Sequence, residues 1–94
     1  MTPEGRLTSA IIRRLKSMNL WWVKLHGGPM QRAGLPDILI VDHGMAKFME
    51  LKAPAGRVSP LQEATMGELR RAGAEAVVIR SVEEFDLYFK KEKK

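Results

Sequence analysis

Apolar residues along the chain switch between two spacings, and the switches predict seven elements. Leu7, Ala10, Ile11, Leu15 and Met18 recur at steps of three and four, while Arg6, Arg13, Lys16 and Ser17 fall mostly elsewhere. That period predicts an amphipathic helix over residues 3 to about 18. Thr2 is its N-cap and Pro3 its first helical residue. The aromatic and β-branched run from Leu20 to His26 predicts a strand. Its adjacent tryptophans, Trp21 and Trp22, point to opposite faces, one toward the core and the other toward solvent, a partner subunit or a nucleobase. Residues 36 to 52 form two apolar runs around a polar break at Gly44, the pattern of a β-hairpin.

Beyond the hairpin, Pro54 stops the strand and residues 53 to 58 form a loop. Ser59 as N-cap, Pro60 at N1 and Gln62 at N3 have the spacing of a capping box. Leu61, Ala64, Thr65, Glu68 and Leu69 continue that helix until Gly73 ends it. The nearly continuous apolar run 76 to 80 predicts a strand buried on both faces, parallel to a neighbour across the preceding helix. Ser81 to Glu84 repeat the capping-box spacing and open a last helix, 82 to about 91, carrying Phe85, Leu87, Tyr88 and Phe89.

The hairpin carries the candidate chemistry. With the turn centred between His43 and Gly44, Asp37 stands as far before it as Glu50 stands beyond it, so the two carboxylates lie opposite each other. Directly opposed side chains have Cβ atoms roughly 4.5–5.5 Å apart, and like charges there repel. Either one carboxyl keeps its proton through a raised pKa, or a divalent cation lies between them. Lys52 projects from the same strand face as Glu50 and adds a cation beside the acids. Two carboxylates and an ammonium suit metal-assisted phosphodiester hydrolysis. A Glu-x-Lys strand usually marks a solvated face instead, but such a face would more naturally set a Lys or Thr opposite Glu50.

Other residues could join this centre. Glu4 extends the core-facing stripe of the first helix by one turn. A glutamate there is favoured by the helix dipole alone, and the same position would let the helix end supply a third oxygen to the acidic pair. Residues 27 to 35 form a glycine-rich connection leading into Asp37, whose amides, with Arg32, could hold phosphates. Lys24 and His26 alternate onto one strand face and could assist, although His26 also reads as an ordinary strand-end histidine. Arg57, in the second loop, is a further candidate DNA contact. Capping accounts for Gln62 by itself.

Composition narrows the classes. Ninety-four residues suit one domain, 1–94, with a modest core, and the lysine-rich stretch 89–94 reads as a frayed basic tail. Sixteen Lys and Arg against eleven Asp and Glu leave a net charge of +5, which favours polyanionic partners. The absence of cysteine excludes disulfides and thiolate zinc sites. With no signal-peptide core and no membrane-length apolar run, the expectation is a soluble cytoplasmic protein that engages no membrane.

The order helix, three-stranded meander, helix, strand, with acids on the first helix and on the second and third strands, resembles the PD-(D/E)XK (restriction-endonuclease-like) nuclease core. More narrowly, the chain resembles a stand-alone VRR-NUC (virus-type replication-repair nuclease) domain. The matching pieces are Glu4, Gly34-Leu35-Pro36-Asp37, Phe48-Met49-Glu50-Leu51-Lys52 and Ser59-Pro60-Leu61-Gln62. The resemblance implies an α/β fold of order α-β-β-β-α-β-α, with a mixed sheet flanked by helices. It implies a Mg²⁺- or Mn²⁺-dependent DNA endonuclease in which Asp37, Glu50 and the Leu51 carbonyl ligate metal. Lys52 would orient water or stabilise charge, with Glu4 and Gln62 in support. Members this short resemble phage or bacterial proteins, some of them homodimers that cut four-way (Holliday) junctions. The competing function is a non-catalytic basic DNA-binding module whose carboxylate pair is structural. A dimer formed through Trp21 or Trp22 and the last helix is compatible with either.

Overall fold

The computed structural model describes residues 1–25 and 32–92. Seven elements follow one another: α1 (Pro3–Ser17), β1 (Trp21–Lys24), β2 (Ile38–Asp42), β3 (Met45–Leu51), α2 (Pro60–Arg71), β4 (Glu75–Ile79) and α3 (Val82–Glu92). The four strands form one sheet in the order β1-β2-β3-β4. The first three are antiparallel neighbours, and β4 runs parallel to β3. Parallel pairing requires a crossover, and α2 supplies it. The order and the mixed sheet are those expected from the sequence.

Local chemistry fixes the ends of the elements. Thr2 caps α1 by accepting the Gly5 N–H at 3.0 Å, and Leu7, Ile11 and Leu15 form its buried stripe. The β2–β3 turn places both His43 (φ 51°) and Gly44 (φ 82°) at positive φ. Positive φ at both central positions is the type I′ two-residue loop, whose twist matches that of the flanking strands. The pairing runs from Asp42 opposite Met45 to Ile38 opposite Met49, the register expected from a turn at that point. Ser59 and Gln62 make the full reciprocal capping box on α2. On α3 the serine half forms, with the Glu84 N–H donating to the Ser81 hydroxyl at 3.1 Å, while the Glu84 carboxylate accepts the N–H of Arg80 instead of that of Ser81.

The core lies on one face of the sheet. Ile38, Ile40, Met49, Leu51 and Ile79 meet Leu7, Ile11 and Leu15 of α1 and Phe85 and Phe89 of α3. Strand alternation turns Glu50 and Ala76 to the other face, where α2 reaches them through Gln62 and Arg70. Trp22 packs against the core and Trp21 is exposed, so the tryptophans divide as their alternation requires.

Several sequence expectations need correcting. The strand expected from Leu20 to His26 is regular only from Trp21 to Lys24, and His26 lies outside the described residues. β4 was expected to be buried on both faces, yet only Ala76 and Ile79 are fully buried, because β4 is an edge strand with one neighbour. On α2, Leu61 is exposed. Thr65 and Met66 are the buried residues, and the stripe begins at Gln62. Residues 89–92, expected to begin a frayed tail, are helical, and Phe89 is buried because it packs edge-on to Tyr88 and against Phe85. No helix among the described residues is long and apolar enough to cross a membrane.

Candidate active site

The site lies where β2 begins and β3 ends. Asp37 immediately precedes β2 and follows Gly34, Leu35 and a buried Pro36. Gly34 adopts φ +87°, and a Cβ there would lie 2.8 Å from both Leu61 Cγ and Thr65 Oγ1. Only glycine lets this loop approach α2 so closely in a left-handed conformation. Regular pairing stops at Ile38 and Met49, so Asp37 stands one residue past the ladder that was expected to place it opposite Glu50. Its N–H donates to the Met49 carbonyl at 3.0 Å, its carbonyl accepts the Leu25 N–H at 2.7 Å, and its carboxylate accepts the Leu51 N–H at 2.8 Å. The aspartate is thereby tied to all three antiparallel strands or their extensions.

Glu50 lies beside it with 2% of its surface exposed. Its Oε2 accepts from Gln62 Nε2 at 3.1 Å and lies 3.3 Å from the Lys52 ammonium. Its Oε1 is buried with no hydrogen-bond partner. Gln62 uses both ends of its amide: its oxygen accepts the Ser59 N–H at 2.9 Å, which leaves the NH₂ group for Glu50. The capping box therefore aims a donor at the site, a second role that capping spacing by itself does not reveal.

The Glu50 carboxyl is pushed up to about 7, chiefly by burial and then by the charge of Asp37, with Lys52 opposing the rise. Asp37 is raised as well, chiefly by burial, against the Leu51 N–H bond that lowers it. Glu4 is exposed at the start of α1, and its charge raises both carboxyls. The acid on the first helix therefore acts electrostatically on the pair that it was expected to join. Lys24 is exposed, and its charge lowers Asp37.

Two desolvated carboxylates, one with a buried unpartnered oxygen, form an oxygen-rich donor set of the kind that hard divalent cations prefer. Among the described residues no group of three or more His, Cys, Asp and Glu side chains is placed to hold a metal. A cation held by Asp37 and Glu50 would complete its shell with backbone carbonyl and water oxygens, as Mg²⁺ commonly does.

The remaining candidates lie farther out. Arg57 is exposed in the loop after β3. Arg32 is ion-paired with Glu68 of α2, which neutralises part of the charge it would offer to phosphate. His26 and the glycine amides at 27 and 28 are outside the described residues. One polar cluster had no counterpart in the sequence reading. Lys47 is 2% exposed, bonded to Asp42 at 3.0 Å, and lies over the rings of Tyr88 and Phe89. Its position on the core-facing side of β3, between Ala46 and Phe48, is the one sequence signal for its burial. The cluster lies at the hairpin end of the sheet, away from Asp37 and Glu50.

A search of the curated proteins gave no match. Among solved structures, one described as "VRR_NUC domain" superposes with a TM-score of 0.82 at 26% identity, covering 96% of this chain and 97% of the other. Another, described as "VRR_NUC domain protein", gives 0.78 at 16% identity over 95% and 86% of the two chains, a likeness of fold alone. Residues 29–83 match the VRR-NUC domain family, a span that holds Asp37, Glu50, Lys52 and Gln62. On this match and the geometry that accompanies it, the chain belongs to the VRR-NUC domain family, a family of nuclease-type, DNA-processing domains.

Proposed function

We propose that the protein is a Mg²⁺- or Mn²⁺-dependent endodeoxyribonuclease that hydrolyses phosphodiester bonds in branched DNA, four-way junctions in particular, as a homodimer. The observation that carries this reading is the buried, unpartnered Oε1 of Glu50, beside the half-buried Asp37 and with Lys52 at 3.3 Å from its other oxygen. A buried carboxylate oxygen without a partner is costly, and a cation is the partner that turns this cost into function. Asp37, Glu50 and the Leu51 carbonyl would hold it.

When bound, such an ion lowers the pKa of a coordinated water and adds positive charge where the phosphate becomes more negative. The protein groups do the rest. Gln62 fixes the rotamer of Glu50, and the Leu51 N–H fixes that of Asp37. Lys52, held by Glu50, stabilises the developing charge or orients the attacking water. Glu4 raises the negative field that draws a cation to the pair. Lys24, Arg57 and, once released from Glu68, Arg32 contact the phosphates, with His26 as a further candidate. Two subunits related by a two-fold axis would present two centres to the symmetric strands of a junction.

The test is direct. Purified protein should nick a four-way junction with Mg²⁺ or Mn²⁺, and Glu50→Ala or Lys52→Ala should lower the rate by about two orders of magnitude or more without unfolding the protein. Undiminished cutting in those variants would remove the assigned chemistry. A wild-type protein that binds DNA, never cuts it and shows no Asp37-dependent heat with Mn²⁺ would be a binding module with a structural carboxylate pair.

A further inference from the structure

Arg80 directly follows Ile79, the last residue of β4, which pairs with Leu51 at the end of β3. Its guanidinium crosses to the loop that leaves β3. One nitrogen, Nη1, donates to the carbonyls of Gly56 at 2.6 Å and Ala53 at 3.0 Å, with that of Pro54 at 3.4 Å. The Ala53 carbonyl also accepts the Gly56 N–H at 2.9 Å, closing a turn around the cation. The backbone of Arg80 is itself held, since its N–H donates to the Glu84 carboxylate at 2.7 Å.

The gathered segment, Ala53-Pro54-Ala55-Gly56, has no polar or large side chain of its own on which to fold. A guanidinium that collects its carbonyls therefore sets its shape from outside, through charge-assisted hydrogen bonds. Two consequences reach the site. Gly56 lies against the stem of Lys52, its Cβ position 3.6 Å from Lys52 Cδ. The next residue is Arg57, exposed at the rim.

We infer that Arg80 is a positioning residue: by gathering the 53–56 carbonyls it holds Arg57, which follows the glycine packed on Lys52, at the rim of the site as a phosphate-gripping cation for the DNA strand being processed. The inference rests on the nuclease reading for the identity of the ligand. Its physical basis is that a contact ordered before binding loses less freedom when the ligand arrives.

The experiment is a double-mutant cycle in junction binding, measured in EDTA over a range of salt concentrations, with Arg57→Ala, Arg80→Gln and the pair. Each single variant should lose about one phosphate contact, roughly eightfold in affinity at 0.1 M salt, and lower the salt slope by about 1. The pair should bind no more weakly than Arg57→Ala alone. Trypsin cutting after Arg57, identified by mass, should speed up in Arg80→Gln while the melting transition stays cooperative. Losses that multiply, or Arg80→Gln binding like wild type, would overturn the inference.

Should Arg80→Gln not fold, Arg80→Lys keeps the charge but its ammonium falls one bond short of the Nη1 position that gathers the carbonyls. Faster cutting after Arg57 with a partial affinity loss then supports the inference, and wild-type behaviour in both readouts overturns it. Cleavage is not read in this experiment. Failure of the nuclease reading would appear separately, as junctions bound but left uncut with Mg²⁺ or Mn²⁺.

Discussion

Glu50 is where folding and chemistry conflict. The native state holds this carboxyl at about 7, above its ordinary value of 4.5, because burial and the charge of Asp37 disfavour ionisation. Between those two values the folded protein keeps a proton that the unfolded chain has released, so stability without metal falls as pH rises toward 7 and levels off above it. Melting in EDTA should show that decline, and Glu50→Gln, which carries no charge, should flatten it. The same variant should melt higher than wild type at pH 8 and cut DNA far more slowly, the trade common to strained functional sites. Mn²⁺ must displace the proton, so its affinity should strengthen with pH up to about 7. A melting temperature indifferent to pH over this range would show that Glu50 is not desolvated as described.

Among the elements, the loop into β2 and the helix α2 depend on each other. Gly34 touches Leu61 and Thr65 in a backbone conformation that other residues adopt only at a cost. Gly34→Ala should therefore destabilise the protein by about 1–3 kcal/mol, read as a lower urea midpoint with unchanged slope. It should also slow cleavage beyond its effect on stability, because Asp37 is three residues away and Gln62 sits on the displaced helix. Full activity in a folded Gly34→Ala protein would show that this contact does not set the site. The element boundaries were largely legible, since caps and turns are local: Thr2, Ser59 and the His43-Gly44 pair act within a few residues of themselves. The face that α2 presents was not. Leu61 is the more apolar residue yet is exposed, because β3 offers a buried carboxylate at that end of the helix and Gln62 donates to one of its oxygens. Adjacent residues on a helix point about 100° apart, so only one of the two can face the strand, and the partner decides which.

For the molecule as a whole, the excess of five positive charges favours a polyanionic partner. A body about 34 Å across its longest axes offers one acidic site among the described residues, so paired cuts in a symmetric junction need two copies. Sedimentation should give a dimer at the concentrations at which cutting is seen. Mixed dimers of wild type and Lys52→Ala should nick one strand where wild type cuts two. A monomer that makes paired cuts would remove the homodimer from the proposal. Of the two tryptophans, Trp21 alone has the exposure to meet a partner or a base, since Trp22 is packed on the core.

Taken alone, the sequence determined the element order and the hairpin register, and with them the meeting of Asp37, Glu50 and Lys52 at one end of the sheet, because periodicity, capping and turn chemistry act over short separations. It also determined the family, through motifs whose spacing survives without coordinates. Tertiary structure decided what depends on distant chain segments. Asp37 steps out of the ladder to bind the Leu51 N–H, and β4 takes an edge. Gln62 turns to Glu50, and Arg80 reaches back across the sheet to the loop after β3. Three of these are polar groups finding partners 12 to 24 residues away along the chain. No window of sequence contains both halves of such a contact, and burial makes its absence costly.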